Sequence, residues 1–407
     1  MLLHGIFPPV TTPFYPEGRV YLKKLEHNVG RYSKTPVAGI VVLGSTGEAV
    51  MLSDDERRDV MKTAREACAS HKVLIAGTGA ESAIETLRLT EYAAEIGYDV
   101  ALVRTPHFYR PQMQPANLLA FYRTVADRSP IPILIYSVPV FTNYDMPAEL
   151  VAELAEHPNI IGIKESGGDV EKIRRVAEAT RHIKRSATVT ETFAAVTARM
   201  LKVAGPDAAN GNGSLVPVAS LVGAHSQSAG ASSVHAGTGT LARPAERSSA
   251  IEVAKNKDRE MERRASRPSS ESLSTSAPSS ASINVISNIK TRQKEVGFQI
   301  LAGLAQKLHP SLDAGAVGAV LAFSDPAPTA CYEIYAAWKE RDGDLARLKQ
   351  ERILTAAGKV ASQFGIPGLK YAMDLNGYYG GPPRLPLLPL TADLKAEVEK
   401  LMSDIRN

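Results

Sequence analysis

The stretch Ile160-Ile161-Gly162-Ile163-Lys164-Glu165-Ser166 lies between Pro158-Asn159 and Gly167-Gly168. A short apolar run that turn-forming residues bound on both sides predicts a buried strand followed by a loop. Side chains alternate along a strand, so Gly162, Lys164 and Ser166 share one face, and Gly162 leaves room for Lys164. Continuous apolar strands of this kind belong in a parallel sheet that helices cover.

Outward from this stretch, apolar strands alternate with amphipathic helices. Eight strand–helix units in roughly 300 residues fit a closed (β/α)8 TIM barrel. An open doubly wound sheet is the alternative, and the absence of a Gly-x-Gly-x-x-Gly turn after the first strand counts against it. The predicted strands are Ile6–Pro13, Gly39–Gly44, Val73–Gly79, Asp99–Pro106, Pro132–Pro139, Ile160–Ser166, Phe298–Gly303 and Ala316–Phe323.

The sequence pattern divides the chain into four parts. Residues 1–185 and 293–341 carry the barrel, and 342–407 read as a C-terminal helical region. The segment 186–292, between helix six and strand seven, is rich in Ser, Ala, Gly and Pro, although a helix is predicted over Thr190–Ala204 at its start. Such a composition buries too little apolar area to offset chain entropy, so most of this insertion is predicted to be disordered. Helix-to-strand loops open on the N-terminal face of a barrel, opposite the active site.

The overall composition excludes several classes of protein. A net charge of +4 over 407 residues is too mild to indicate nucleic-acid binding. The two cysteines, Cys68 and Cys331, lie in helical patterns, so no disulfide framework is expected. The N-terminus lacks the pattern of a signal peptide, and no run approaches the ~20 apolar residues of a membrane span. These features predict a cytoplasmic protein with no nucleic-acid or membrane partner.

Lys164 is the first candidate for chemistry, since the active site of such a barrel lies at the C-terminal ends of its strands. Burial lowers the pKa of a lysine and makes its amine a nucleophile that forms a Schiff base with a carbonyl. The alternative is a strand-end lysine that reaches water or pairs with a carboxylate. No His, Asp and Glu cluster with metal-ligand spacing is found, and none is expected.

Two further motifs lie at predicted strand ends. Gly44-Ser45-Thr46-Gly47-Glu48 offers two hydroxyls and backbone N–H groups that suit a small anion such as a carboxylate. The alternative is a plain tight turn. Tyr136-Ser137-Val138-Pro139 ends strand five, and the Tyr136 phenol would point across the barrel mouth toward Lys164. A core tyrosine with a satisfied hydroxyl is the alternative there.

Together these three motifs resemble the dihydrodipicolinate synthase/N-acetylneuraminate lyase family of Schiff-base barrel enzymes, over 1–185 and 293–407. The resemblance implies that Lys164 forms an imine with pyruvate or another 2-oxo acid and that Tyr136 shuttles protons. It also implies a homo-oligomer, dimer or tetramer, and no cofactor beyond the covalent imine. The substrate-binding residues it implies are Ser45, Thr46, Ser166 and Gly303.

Departures from the synthase pattern bear on the second substrate. Phe141 occupies the position of the arginine that binds the aldehyde's carboxylate in synthases, and Phe108 replaces the tyrosine that synthases donate across a dimer interface. Tyr109 is a candidate substitute in the proton relay with Ser45. Phe141 and Asn143 would offer the substrate an apolar wall and an amide.

Four motifs look more like the 4-hydroxy-2-oxoglutarate aldolase branch of the family: Tyr136–Pro139, Lys164–Val170, Phe364–Lys370 and Gly377–Pro382. They predict retro-aldol cleavage of a 4-hydroxy-2-oxo acid to pyruvate and an aldehyde. The alternatives are 4-hydroxy-tetrahydrodipicolinate synthase, a dehydratase or decarboxylase of sugar acids, and a silent barrel whose insertion binds a partner.

Overall fold

The computed structural model describes residues 1–190, 195–200, 215–217 and 288–405, all within one compact unit. The greater part of the predicted insertion lies outside the described residues. The described strands in chain order are β1 (Gly5–Ile6), β2 (Gly39–Val42), β3 (Val73–Gly77), β4 (Val100–Arg104), β5 (Ile133–Ser137), β6 (Ile160–Glu165), β7 (Arg185–Thr190), β8 (Leu215–Pro217), β9 (Asn288–Val296), β10 (Gln299–Ala302) and β11 (Gly318–Ala319).

Eight of these strands form a parallel barrel in the order β1-β11-β10-β6-β5-β4-β3-β2. Backbone hydrogen bonds from Ala38 N to Ile6 O and from Val41 N to Pro8 O, both 2.9 Å, join β2 to the end of β1 and close it. The predicted (β/α)8 barrel is therefore confirmed, and the open doubly wound sheet is wrong. The first strand is shorter than predicted because Pro8 and Pro9 have no N–H to donate to a ladder.

Helices alternate with the strands and cover the outside of the barrel. A capping box forms at Ser53 and Glu56, with the Glu56 N–H donating to Ser53 Oγ at 3.2 Å. The helices are α1 (Leu22–Ser33), α2 (Asp54–Ala67), α3 (Ala83–Glu95), α4 (Pro115–Arg128), α5 (Pro139–Thr142), α6 (Ala148–Ala155), α7 (Val170–Ala179), α8 (Leu308–Asp313), α9 (Pro328–Lys339), α10 (Gly343–Ala356), α11 (Gly365–Leu375) and α12 (Ala392–Met402).

The barrel interior below the mouth is packed with aliphatic side chains. Gly162 is required in this layer, because a Cβ there would lie 2.1 Å from Gln299 O and 3.1 Å from the Leu134 side chain. The packed interior supports the side chains that end the strands above it. Its buried members include Val41, Ile75, Leu102, Leu134, Leu301 and Val320.

The described ends of the insertion form a small antiparallel sheet, β7-β9-β8, at the N-terminal end of the barrel. Ala187 and Val189 are buried there, and the Arg185 guanidinium donates to Ile160 O at 2.7 Å. The boundary predicted at 185/186 thus falls inside a strand, and the helix predicted over Thr190–Ala204 is wrong at Thr190, which ends β7. Pairing of β7 with β9 is a non-local contact that overrides local helix preference.

Candidate active site

Three inward-facing side chains meet at the C-terminal ends of β4, β5 and β6. The strand register aligns Arg104 with Tyr136 and Tyr136 with Lys164. Lys164 Nζ lies 4.1 Å from the centroid of the Tyr136 ring, and both residues are buried. Tyr136 Oη lies 3.3 Å from Ser45 Oγ. Predicted candidates from three distant segments thus form one contiguous chain from amine to phenol to hydroxyl.

The backbone that carries Lys164 is anchored by the next residue, Glu165. Its Oε1 accepts from the Gly167 N–H at 2.6 Å, and its Oε2 lies 2.8 Å from Lys172 Nζ. Lys172 also pairs with Asp145. Because Glu165 and Lys172 are both buried, this ion pair is shielded from solvent and holds the end of β6 in place.

The loop after β2 forms a tight turn whose glutamate is fully buried. The Glu48 N–H donates to Ser45 O at 3.1 Å, and Glu48 itself has a left-handed backbone with φ of 54°. Its carboxylate lies 2.5 Å from Lys370 Nζ in α11 and accepts from the Arg384 N–H at 2.8 Å. The C-terminal region therefore orients this turn, in which Ser45 and Thr46 are half-buried. Sequence reasoning missed the pairing of Glu48 with Lys370.

Ser166 and Gly303 also lie together, after β6 and β10. A Cβ on Gly303 would lie 2.0 Å from Ser166 Oγ and 2.7 Å from Glu165 O. The Ser166 N–H donates to Ser137 O at 2.9 Å, which ties it to the end of β5. Only glycine fits at 303, so the serine hydroxyl occupies the space that a side chain there would take.

The residues predicted to contact the second substrate are not brought into this cluster within the described chain. Phe141 is 61% exposed, and Asn143 is exposed in a left-handed conformation after α5. Tyr109 is 67% exposed and packs edge-on against Phe108, with ring centroids 5.2 Å apart. Their predicted roles in substrate contact and proton relay remain predictions.

A cavity of about 260 Å³ opens beside Tyr136, between the ends of β2, β3 and β4. This volume suits a small metabolite better than a drug-sized ligand. Sequence reasoning missed its charged lining, although the strand period that places Leu102 inside the barrel also places Arg104 there. Its polar lining includes Ser45, Asp54, Arg57, Arg58, Thr78, Glu81, Glu85, Arg88, Arg104 and Tyr136.

Asp325, just after the last barrel strand, is a second residue that sequence reasoning missed. Its carboxyl is fully buried, and neither oxygen has a hydrogen-bond partner among the described residues. Burial raises the pKa of Asp325 well above its ordinary value, while the Lys164 ammonium acts in the opposite direction. Burial therefore favours the neutral form of this carboxyl group.

Two kinds of feature are absent from the described residues. No group of three or more His, Cys, Asp or Glu side chains there could hold a metal ion. None of the described helices combines the length and apolarity that crossing a bilayer requires.

Comparison with known proteins places the site in a family. The model of the dihydrodipicolinate synthetase family matches residues 2–228 and 279–405. The chain belongs to this family. This result confirms the resemblance drawn from the three motifs, and it leaves the branch within the family open.

Among curated members of the family, the 4-hydroxy-tetrahydrodipicolinate synthase of Methanoculleus marisnigri is 39% identical over 182 residues, 44% of this chain and 62% of the relative. The 4-hydroxy-tetrahydrodipicolinate synthase of Xanthomonas campestris is 40% identical over 173 residues, which are 42% of this chain and 57% of the relative. The chain thus matches less than two thirds of the length of these relatives. The solved 4-hydroxy-tetrahydrodipicolinate synthase of Methylacidiphilum fumariolicum shares the fold, with a TM-score of 0.65 at 21% identity over 99% of this chain and 95% of that one.

Proposed function

We propose that this protein is a class I aldolase that cleaves a 4-hydroxy-2-oxo acid to pyruvate and an aldehyde through an imine on Lys164. The observation that carries the proposal is the buried Lys164 amine, 4.1 Å from the Tyr136 ring whose hydroxyl contacts Ser45. A buried amine beside a hydroxyl relay is what imine formation requires, since one group attacks the carbonyl while another moves protons.

The proposed chemistry uses these groups in order. The Lys164 amine attacks the keto carbon, and Tyr136 donates the proton that lets the oxygen leave as water. The protonated imine then accepts the electron pair of the C3–C4 bond as it breaks, while the C4 hydroxyl gives its proton to the Tyr136 phenolate and becomes the aldehyde. Protonation of the enamine and addition of water release pyruvate and restore the amine. The hydroxyls of Ser45 and Thr46 would bind the carboxylate of the oxo acid.

The choice of aldolase over synthase rests on Phe141. Where the synthase pattern has an arginine for the aldehyde's carboxylate, this chain has an exposed phenylalanine. Losing such a buried charged partner costs about 2–5 kcal/mol of binding. The synthase reaction, pyruvate with aspartate semialdehyde, is the second candidate, because the curated relatives carry that name.

We also propose that the protein assembles with copies of itself. Val140 and Phe141 after β5 and Phe108 and Tyr109 after β4 are 61–77% exposed. Large apolar side chains gathered on exposed loops are typical of interaction surfaces.

The test of the covalent step is reduction with borohydride in the presence of pyruvate. An adduct on Lys164, located by peptide mass spectrometry, is expected in the wild-type chain and in the control Lys359→Ala, which alters a surface lysine. Lys164→Ala should form none. An unchanged intact mass, or an adduct on another lysine, would contradict the proposal.

The substrate is tested separately. Pyruvate release from 4-hydroxy-2-oxoglutarate and from 2-keto-3-deoxy sugar acids is measured beside the synthase assay. Cleavage of the first is expected to be the most efficient. Efficient condensation with aspartate semialdehyde would overturn the aldolase choice and leave the role of Lys164 intact.

A further inference from the structure

We propose that Arg104 is the specificity-determining residue that binds a carboxylate on the aldehyde half of the substrate. This inference rests on the proposed function and names its substrate class: a dicarboxylic 4-hydroxy-2-oxo acid. Arg104, at the end of β4, supplies the positive charge that is missing after β5, where Phe141 occupies the position of the synthase arginine.

The position of Arg104 follows from the strand register. Arg104 is the neighbour of Tyr136 across β4 and β5, and Tyr136 is the neighbour of Lys164 across β5 and β6. All three therefore point into the barrel mouth. Two strand spacings, about 10 Å, separate the backbones of Arg104 and Lys164. A lysine-bound imine of a five-carbon dicarboxylic acid can span that distance.

The guanidinium is held at one end only. Its Nη1 lies 2.7 Å from Glu81 Oε1 and 2.7 Å from His107 Nδ1. Glu81 is in turn anchored through Oε2, which accepts from the His107 and Phe108 N–H groups at 2.9 and 3.0 Å. Among the described residues Nε and Nη2 have no partner, and Arg104 lines the cavity beside Tyr136. A planar guanidinium held at one nitrogen is suited to receive a carboxylate with its remaining donors.

The electrostatics around Arg104 also favour an anion. Burial, followed by the nearby Arg104 charge, lowers the pKa of His107, so its imidazole is neutral at pH 7. Partial burial acts to raise the pKa of Glu81, yet the Phe108 and His107 N–H groups and Arg104 lower it, so it stays ionised. The cavity lining carries four arginines against three acidic residues, which leaves one positive charge in excess.

A purely structural role for Arg104 is the alternative, since it links the loops after β3 and β4 through Glu81. The two roles differ in what they predict for substrates. A structural arginine would affect all substrates alike, whereas a carboxylate-binding arginine affects only those that carry the distal carboxylate.

The experiment compares Arg104→Met with the wild-type chain on two substrates, 4-hydroxy-2-oxoglutarate and 4-hydroxy-2-oxopentanoate, which has a methyl group in place of the distal carboxylate. For the dicarboxylate, kcat/KM is expected to fall on the order of 100-fold. For the methyl analogue it should change by less than about threefold. Arg104→Lys should be intermediate, since an ammonium keeps the charge but not the planar fork.

The matched control is Arg123→Met. Arg123 lies in α4, is absent from the cavity lining and pairs with Glu153 Oε1 at 2.7 Å. It should leave both substrates unaffected. Pyruvate has no distal carboxylate, so its borohydride adduct on Lys164 should form in all three variants and show that the site is folded.

Three outcomes overturn the inference. Equal losses on both substrates in Arg104→Met would assign it a structural role, and a wild-type chain that prefers the methyl analogue would exclude a carboxylate site. Either result leaves the proposed function standing. If the wild-type chain releases pyruvate neither from these two substrates nor from the 2-keto-3-deoxy sugar acids, the proposed function is overturned, and the inference with it.

Discussion

The ring and the hydroxyl of Tyr136 each make one contact with a neighbouring residue. The ring face lies 4.1 Å from the Lys164 ammonium, a cation–π contact, and the hydroxyl lies 3.3 Å from Ser45. The ring can therefore hold the lysine in place even when the hydroxyl is removed. This division allows the proton-transfer role of the residue to be tested without loss of packing.

Tyr136→Phe is expected to lower kcat about 10²–10⁴-fold, since it removes the hydroxyl to which the proposed mechanism assigns the proton transfers. Turnover is measured by pyruvate release, and unfolding by urea. The control is Tyr98→Phe, which removes a buried hydroxyl that donates to Met61 O at 2.9 Å far from the site. It should cost about 1–3 kcal/mol of stability and leave kcat unchanged. Similar turnover in Tyr136→Phe and the wild type would exclude Tyr136 as the proton shuttle.

Asp325 is expected to make the stability of the protein fall as the pH rises. Burial raises the pKa of Asp325 well above its ordinary value in the folded chain. The unfolded chain releases this proton near pH 3.9, whereas the folded chain keeps it. The stabilisation that this group contributes is therefore complete below its ordinary pKa. It is lost as the pH rises through the pKa that the group has in the folded chain.

Asp325→Asn is accordingly expected to be more stable than the wild type at neutral pH and to flatten the decline of the free energy of unfolding above about pH 4. Urea unfolding at a series of pH values measures this slope. Asp344→Asn, which alters a side chain that is 95% exposed, serves as the control and should keep the wild-type slope. An unchanged slope in Asp325→Asn would show that this carboxyl has the same pKa in the folded and the unfolded chain.

At the scale of elements, the C-terminal helical region supports the substrate end of the barrel. Lys370 in α11 is fully buried, where it pairs with Glu48 and donates to Thr12 O at 2.8 Å and Pro382 O at 3.0 Å. The Arg384 guanidinium, in the segment after α11, pairs with Glu56 of α2. The turn that carries Ser45 is thus held between the barrel and the extension.

Lys370→Met is expected to destabilise the protein by about 3–5 kcal/mol, because it leaves Glu48 as an unpaired buried carboxylate. The double variant Glu48→Gln/Lys370→Met should recover much of that loss, since no buried charge remains. Lys359→Met, which breaks a half-buried surface pair with Glu397, is the control and should cost about 1 kcal/mol. Urea unfolding distinguishes the three; equal effects at Lys370 and Lys359 would argue against the buried pair.

At the scale of the whole molecule, the insertion enters and leaves on the side opposite the candidate site. Its described ends pair in the register Thr190 with Thr291 and Pro217 with Asn288. Partners in an antiparallel pair lie about 5 Å apart, a gap that a two-residue hairpin turn closes. Residues 218–287 can therefore be excised without moving either strand.

Replacing residues 218–287 with Asn-Gly is expected to preserve pyruvate release and not to lower the free energy of unfolding, since a two-residue connection between paired strands costs little entropy to close. The matched control replaces the same residues with a Gly/Ser linker of equal length. Loss of turnover in the short variant, with the barrel still folded, would show that this segment serves catalysis. A silent barrel with a binding role predicts no turnover in any of the chains.

Much of this architecture follows from the sequence alone. The strand–helix alternation is a local property, because the period of the apolar residues reports which faces are buried. The meeting of Ser45, Tyr136 and Lys164 also follows, since parallel strands of one barrel bring all their C-terminal ends to a single rim. Family membership followed from the same three motifs.

Other features were decided only by the tertiary structure. Glu48 and Lys370 are more than 300 positions apart, and nothing in either neighbourhood names the other as its partner. The pairing of β7 with β9 was hidden for the same reason, since a composition that predicts disorder does not report a distant strand. Nothing in the sequence around Arg104 or Asp325 singled them out, and only their neighbours in space gave one its cavity and the other its raised pKa. Local pattern determines which residues are buried; the partners of a buried charge depend on contacts between segments that the chain keeps far apart.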